Sequence, residues 1–529
     1  MSRHSLRMTS VAVAIIVTCL AAPGAFAATR PGVSSEAQTE RYFESIRKDP
    51  NLLVAFLLEM PKGGDLHNHL SGAIYAESLI DWAAANGSCV DPTSFTLGPP
   101  PCAAPSVAAS SAYGNPVLYG SMIDAFSMRN WQLSGQSGHD HFFATFDRFG
   151  AATHGKTGKE LAETASRAAS QHEIYQELMF TPTGIAFSDA VKKLKWNENA
   201  SAEVNISAFH ETLSPLMDDI AKESLAQITA AEQERDKAMG CGSPAADPGC
   251  RVKQRYLFQV LRGLSKEIVF TQMMLGFKLA SIDPRVVGLN MVMAEDWYVS
   301  MRDFPIHMQM MNYLHNLQPK VHIALHAGEL VEGLVPPEGL RFHVRESVET
   351  GHAERIGHGV DALSETNALE LLADMARKNV MVEICLTSND VILGVRGKNH
   401  PLHDFMRAGI PVALATDDEG VSRSDMTHEF QKGVEDQNLS YSELKRMART
   451  GLEHAFIAGG SFWSDGKSFA PVKQCIGAQL GTTPAAACQQ FLDGNEKARL
   501  QWELEQQFRE FEGHKWPAVK AESSRAAER

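Results

Sequence analysis

Four short strings concentrate the residues that could do chemistry: LHNHL at 66–70, HAGE at 326–329, GHG at 357–359 and TDD at 416–418. They supply imidazoles and carboxylates, the groups that hold divalent metals and move protons. His67 and His69 are one residue apart, so on a strand both point the same way and can reach one ion. His326 ends the apolar run VHIAL, which has no structural need for a terminal histidine, and Glu329 follows a short step into the next loop. His358 has a glycine on either side, which lets a metal or substrate approach closely. Asp417 and Asp418 follow PVALAT; adjacent carboxylates repel, and a cation beside them is the simplest way to keep both ionised. Three imidazoles and a carboxylate form a zinc set that lowers the pKa of a bound water to about 7. The chemistry expected is metal-assisted hydrolysis, with Glu329 as a proton shuttle. Any one of the 20 histidines would by itself read as an ordinary core or surface residue; the four strings together do not.

Such residues act together only if the fold brings them to one place. From residue 62 onward, apolar or β-branched runs alternate with helix-like segments, the pattern of successive βα units. Eight strands are expected near 62–68, 173–180, 255–262, 285–293, 320–326, 355–358, 379–387 and 410–416. Helices are expected over 76–85, 158–171, 202–233, 299–317, 366–377 and 494–512. Eight units make a (β/α)8 TIM-type barrel, whose reactive groups gather at the C-terminal strand ends, where the four strings lie. The domain limits read as 28–60, an N-terminal helical arm; 61–512, the barrel, with insertions at 86–117 and 236–254; and 513–529, a polar tail. The arm contains ERYFESIR and LLVAFLLEM and could either make a dimer contact or cover the barrel base, so a homodimer stays open.

Residues 1–27 have a basic start, an apolar stretch from Val11 to Ala22 and a small-residue site at Ala25-Phe26-Ala27, the marks of a removable secretory signal peptide. The expected location is exported, periplasmic or extracellular. Cys89 with Cys102, Cys241 with Cys250 and Cys475 with Cys488 form local pairs in Gly/Pro/Ser-rich stretches, and export makes disulfides their natural state. Cys385, in VMVEICL, reads as a buried thiol. Against 49 Lys and Arg stand 63 Asp and Glu, a net charge of −14, which argues against nucleic-acid or anionic-membrane partners.

PKGGDLHNHLSGA, IALHAGE, RIGHGVD, CLTSN and ALATDDEGVSRSDMTHEF, in this order, resemble the adenosine deaminase family of metal-dependent amidohydrolases. The secreted, disulfide-containing branch of adenosine deaminase-related growth factors is similar in style. The resemblance covers residues 60–460. It implies that His67, His69, His326 and Asp417 bind one zinc ion per chain and that Glu329 protonates the purine ring nitrogen beside the attacked carbon. It further implies that His358 orients and deprotonates the zinc water, that Asp418 hydrogen-bonds the far side of the purine, and that adenosine, a small-molecule purine nucleoside, is converted to inosine and ammonia. HFFATFDRF at 141–149 resembles the family's aromatic pocket lining and reads equally as a helix with a core face.

Two positions depart from the family pattern. Ser71 stands where the family commonly has an acid for the sugar hydroxyl. Met293 or Ala294 stands where a glycine amide meets the purine. An alternative is therefore a deaminase of adenine or another aminopurine; a secreted, non-catalytic binding protein on the same barrel is the other.

Overall fold

The computed structural model describes residues 34–516. The expected signal peptide and residues 517–529 lie outside the described residues. Eight parallel strands form one sheet in sequential order: β1 (Gly63–His69), β2 (Glu173–Phe180), β3 (Lys253–Leu261), β4 (Val286–Val292), β5 (His322–Ala327), β6 (Arg355–His358), β7 (Met381–Ile384) and β8 (Val412–Leu414). Most strand residues are buried on both faces, because helices cover the outside and side chains fill the inside. The sheet curls until β1 meets the end of β8. There, Asn68 and Asp417 pair in parallel, with the Asp417 N–H donating to His67 O at 2.8 Å and the His69 N–H to Asp417 O at 3.3 Å. All eight expected strands are present, each within three residues of its expected ends.

The helix expected over 202–233 is two, Ala202–Leu213 and Met217–Ala238, joined by a 3-10 turn at Ser214–Leu216. Pro215 is the cause: it lacks the N–H that would continue the helical ladder, and its ring crowds the carbonyl four residues back. Residues of the N-terminal segment form two helices, Ser35–Ile46 and Pro50–Glu59, capped by Ser34 and Asp49. Phe43 and Phe56 pack with Tyr441 and Phe511 of later helices, so the segment covers part of its own barrel.

The first insertion contributes a small antiparallel sheet of Cys89–Val90, Leu97–Gly98 and Val107–Ala108. With the helices Ala76–Ala85, Pro116–Phe126 and Gly138–Thr153 it encloses a second hydrophobic cluster, apart from the main core. Disulfides join Cys89 to Cys102, Cys241 to Cys250 and Cys475 to Cys488, and Cys385 is a buried free thiol. Among the described residues no helix is long and apolar enough to cross a membrane.

Glu160, on the helix Thr157–Ser170, is buried, and its Oε1 has no hydrogen-bond partner. Burial, with Glu163 adding to it, lifts its pKa from 4.5 to about 8. A raised carboxyl pKa favours folding fully below the unfolded value and loses that advantage as pH rises through the folded one. Glu160→Gln should therefore raise Tm at pH 8, relieving roughly 4 kcal/mol, with the gain shrinking toward pH 5. Thermal denaturation at the two pH values checks this, and an equal Tm change at both would refute it.

Candidate active site

The C-terminal rim carries every sequence-predicted ligand. His67 and His69 end β1, His326 lies near the end of β5 and Asp417 follows β8. His326 Nε2 is 3.0 Å from His67 Nε2 and 3.1 Å from His69 Nε2. Asp417 Oδ1 is 3.4 Å from the first of these rings and 3.2 Å from the second. One ligand atom from each of the four residues falls within a 4.8 Å span.

The back of each ring explains why these atoms face inward. Glu383 Oε2 accepts from His67 Nδ1 at 2.6 Å, Gln259 Oε1 from His69 Nδ1 at 3.0 Å, and Asn290 Oδ1 from His326 Nδ1 at 2.8 Å. Each Nδ1 thus keeps its proton and each Nε2 presents a bare lone pair. Three lone pairs and a carboxylate oxygen at these distances repel one another unless a cation sits among them, so the donor set fits a divalent metal of the N/O-binding kind. Burial lowers the pKa of His67, yet hydrogen bonds donated to Asp417 and Glu383 outweigh it and lift the value to about 10; without a metal the ring favours a proton on Nε2 at the point where a cation would otherwise sit. The same two imidazoles that meet Asp417 overcome its burial and hold it well below the usual carboxylate range.

Backbone geometry is bent to serve the rim. Asp417 and His358 have φ of +59° and +70°, and Met293 has φ of +82°, all in the left-handed region that costs a side-chain-bearing residue energy. Of the two residues considered for the glycine position, Met293 therefore has the glycine-like backbone. Gly357 cannot be replaced for a different reason: a Cβ there would fall 2.5 Å from the His67 ring.

Glu329 and His358 face each other beside the four ligands, with Oε1 and Nε2 3.8 Å apart and neither atom hydrogen-bonded. Burial, then the charges of Asp417 and Glu295, raise Glu329 well above the usual carboxyl range. Asp418 is lifted to about 8 by burial and Asp417, against the pull of His69. Burial lowers His358 to about 3, leaving it neutral. Ser71 and Met293 line the same cavity of about 480 Å³. The helix Gly138–Thr153 roofs it: Phe149 is buried in the lobe, Phe143 and Phe146 line the cavity, and Phe142 does both. The segment HFFATFDRF thus both lines the cavity and packs into the lobe.

Several residues of the site escaped the sequence reading. Glu295 accepts the main-chain N–H groups of Gly328 and Glu329 at 3.1 and 2.7 Å and so places the Glu329 loop. Arg262 donates to Met291 O and His326 O. Glu383, Gln259 and Asn290 were also missed, although each is a polar residue inside an apolar strand, an expensive placement that needs a partner.

Residues 156–461 match the family model described as adenosine deaminase. This chain belongs to the adenosine deaminase family. Similar curated relatives include the adenosine deaminase of Shewanella loihica, 38% identical over 114 residues (21% of this chain, 34% of the relative), and that of Escherichia coli strain SE11, 36% identical over 138 residues (26% and 38%). The chain thus aligns with little more than a third of those relatives' length. Among solved structures, Arabidopsis ADAL complexed with IMP superposes with a TM-score of 0.50 at 19% identity, covering 76% of this chain and 93% of that one, which shows the shared fold.

Asn290→Ala removes the acceptor behind His326 but none of the four ligands. It should weaken metal binding about 10–100-fold, measured by competition with a chelator; unchanged affinity would mean that Asn290 does not orient His326.

Proposed function

We propose that this protein is a zinc-dependent adenosine deaminase, which hydrolyses adenosine to inosine and ammonia and also accepts 2′-deoxyadenosine. The observation that carries this reading is the convergence of three lone-pair imidazoles and Asp417 at one point, with an unpaired, proton-holding Glu329 beside it. One zinc ion held by His67, His69, His326 and Asp417 would lower the pKa of its water to about 7, so that the water gives up a proton readily as it attacks at neutral pH.

The chain's own residues do the rest. Glu329, whose burial favours the protonated carboxyl, gives that proton to the ring nitrogen next to the attacked carbon, making that carbon electron-poor. His358, across from Glu329, orients the attacking water. Asp418, protonated at neutral pH, donates to the far side of the purine. Ser71 meets the sugar, and the Met293 main chain, in its glycine-like conformation, meets the base. A cavity of about 480 Å³ is of the size that encloses a small organic ligand. Ser71 offers the sugar a neutral hydroxyl in place of a carboxylate, a weaker partner, and this favours a second reading in which adenine or another aminopurine is the better substrate. Three disulfides support export to an oxidising compartment.

Ultraviolet absorbance of the zinc-loaded protein against adenosine, 2′-deoxyadenosine and adenine, with a chelated control, tests the reading. Chelator-sensitive loss of the adenosine band is expected, and adenine turning over faster would replace the nucleoside with the free base. Glu329→Gln should retain one zinc per chain and lose about 1000-fold in kcat; wild-type turnover in that variant would remove Glu329 from the reaction.

A further inference from the structure

His358 faces the reaction space with one ring nitrogen, and the direction of its proton decides what it can do there. A buried chain of hydrogen bonds behind it sets that direction. The main-chain N–H of Leu402 donates to His400 Nδ1 at 3.2 Å. A main-chain amide can only donate, so His400 Nδ1 is the acceptor and its Nε2 carries the hydrogen. His400 Nε2 then donates to Asn389 Oδ1 at 3.0 Å. With its oxygen so engaged, Asn389 turns its amide nitrogen to His358 Nδ1, donating at 3.0 Å. Asn389, His400 and His358 are all buried, so water does not compete for these bonds.

We infer that Asn389 and His400 are positioning residues which fix His358 as the tautomer with its proton on Nε2, making it a hydrogen-bond donor to the reacting oxygen and not the base that deprotonates water. The inference rests on the deaminase reading for its mechanistic meaning. The contrast with the neighbouring rings carries it: His67, His69 and His326 have acceptors at Nδ1 and bare Nε2 atoms, whereas His358 has a donor at Nδ1 and a protonated Nε2. His358 thus stands beside the ligands with the one polarity that keeps it from becoming a fifth ligand through Nε2. Its Nε2, 3.8 Å from Glu329 Oε1, points a proton at the space between them, where negative charge develops as the oxygen attacks.

Proton transfer then falls to Glu329. Its carboxyl proton goes to the ring nitrogen as the water oxygen bonds to carbon, and the carboxylate takes a proton from that water. The regained proton passes to the amine as the carbon–nitrogen bond breaks, and the remaining hydroxyl proton restores Glu329 as the carbonyl forms. Water enters and ammonia leaves, with no proton stored on His358.

The test uses zinc-loaded protein carrying 15N-histidine, with the His358 signals assigned by their loss in His358→Asn. Expected is a protonated Nε2 and a bare Nδ1 in the wild type. Asn389→Asp is nearly isosteric but reverses the polarity, because a carboxylate accepts from Nδ1. It should move the proton to Nδ1, keep one zinc per chain and KM within about threefold, and lower kcat about 100-fold. His400→Gln, which can still donate to Asn389 Oδ1, should keep kcat at least about tenfold above His400→Leu, which cannot. A wild-type His358 protonated on Nδ1, an Asn389→Asp variant with unreduced kcat, or equal kcat in the two His400 variants would each overturn the inference. The nuclear resonance measurement needs no turnover, so a wild-type protein inactive on adenosine would sink the deaminase reading while the tautomer was still decided.

Discussion

The barrel closes at its own reactive rim, and the rest of the site depends on that closure. Elsewhere adjacent strands share two or more pairings, but β1 and β8 are joined by a single parallel bridge between Asn68 and Asp417. The residues making its hydrogen bonds are His67, His69 and Asp417. Three of the four converging ligands are therefore set by one main-chain contact, and only His326 is brought from the middle of the sheet. The left-handed backbone of Asp417 belongs to the same constraint, since the chain must close the sheet and present its carboxylate inward in one step. An ion held there ties together the two strands with the fewest pairings, so fold and site stabilise each other.

Behind the rim, charge is arranged in depth. Fully buried Arg355 lies between Glu177 and Glu383, at 2.6 and 2.7 Å, and Glu383 in turn holds His67. Burial penalises the guanidinium, but the two carboxylates outweigh it and keep it charged. Breaking such a network by removing one member leaves an uncompensated buried charge. Arg355 also lies over the Phe456 ring at 3.9 Å, which anchors the following loop to the barrel floor. The orientation of one imidazole is thus tied to packing at the far end of the barrel.

How much of this the sequence disclosed varies by kind of feature. Several strands were legible because parallel strands buried on both faces tend to be apolar runs, and VVGLNMV and VHIAL leave little room for another reading. The four converging side chains were legible because histidine and aspartate at the ends of such runs have no packing reason to be there. Pro215 shows the limit of periodicity: the apolar spacing of 202–233 continues across it while the helix does not. Glu383, Asn290 and Gln259 inside strands, and Asn389 on the buried helix Leu386–Leu393, were harder, since a buried polar residue announces that it has a partner but not which one. Those partners lie between 31 and 316 residues away, and only the closed barrel names them. Met293 could be placed only to within one residue, because backbone φ is not written in side-chain type.

The three disulfides span only 13, 9 and 13 residues. Each clips an excursion back onto its own base, and none links one barrel strand to another. Loop-closure entropy grows slowly with loop length, so such short clips contribute the least that a disulfide can. The pairing of the eight strands and the assembly of the rim therefore involve none of the three disulfides. In evolutionary terms the reactive centre and its covalent trim are separable: the clips could be gained or lost as the chain changed compartment without rebuilding the strands that hold the site.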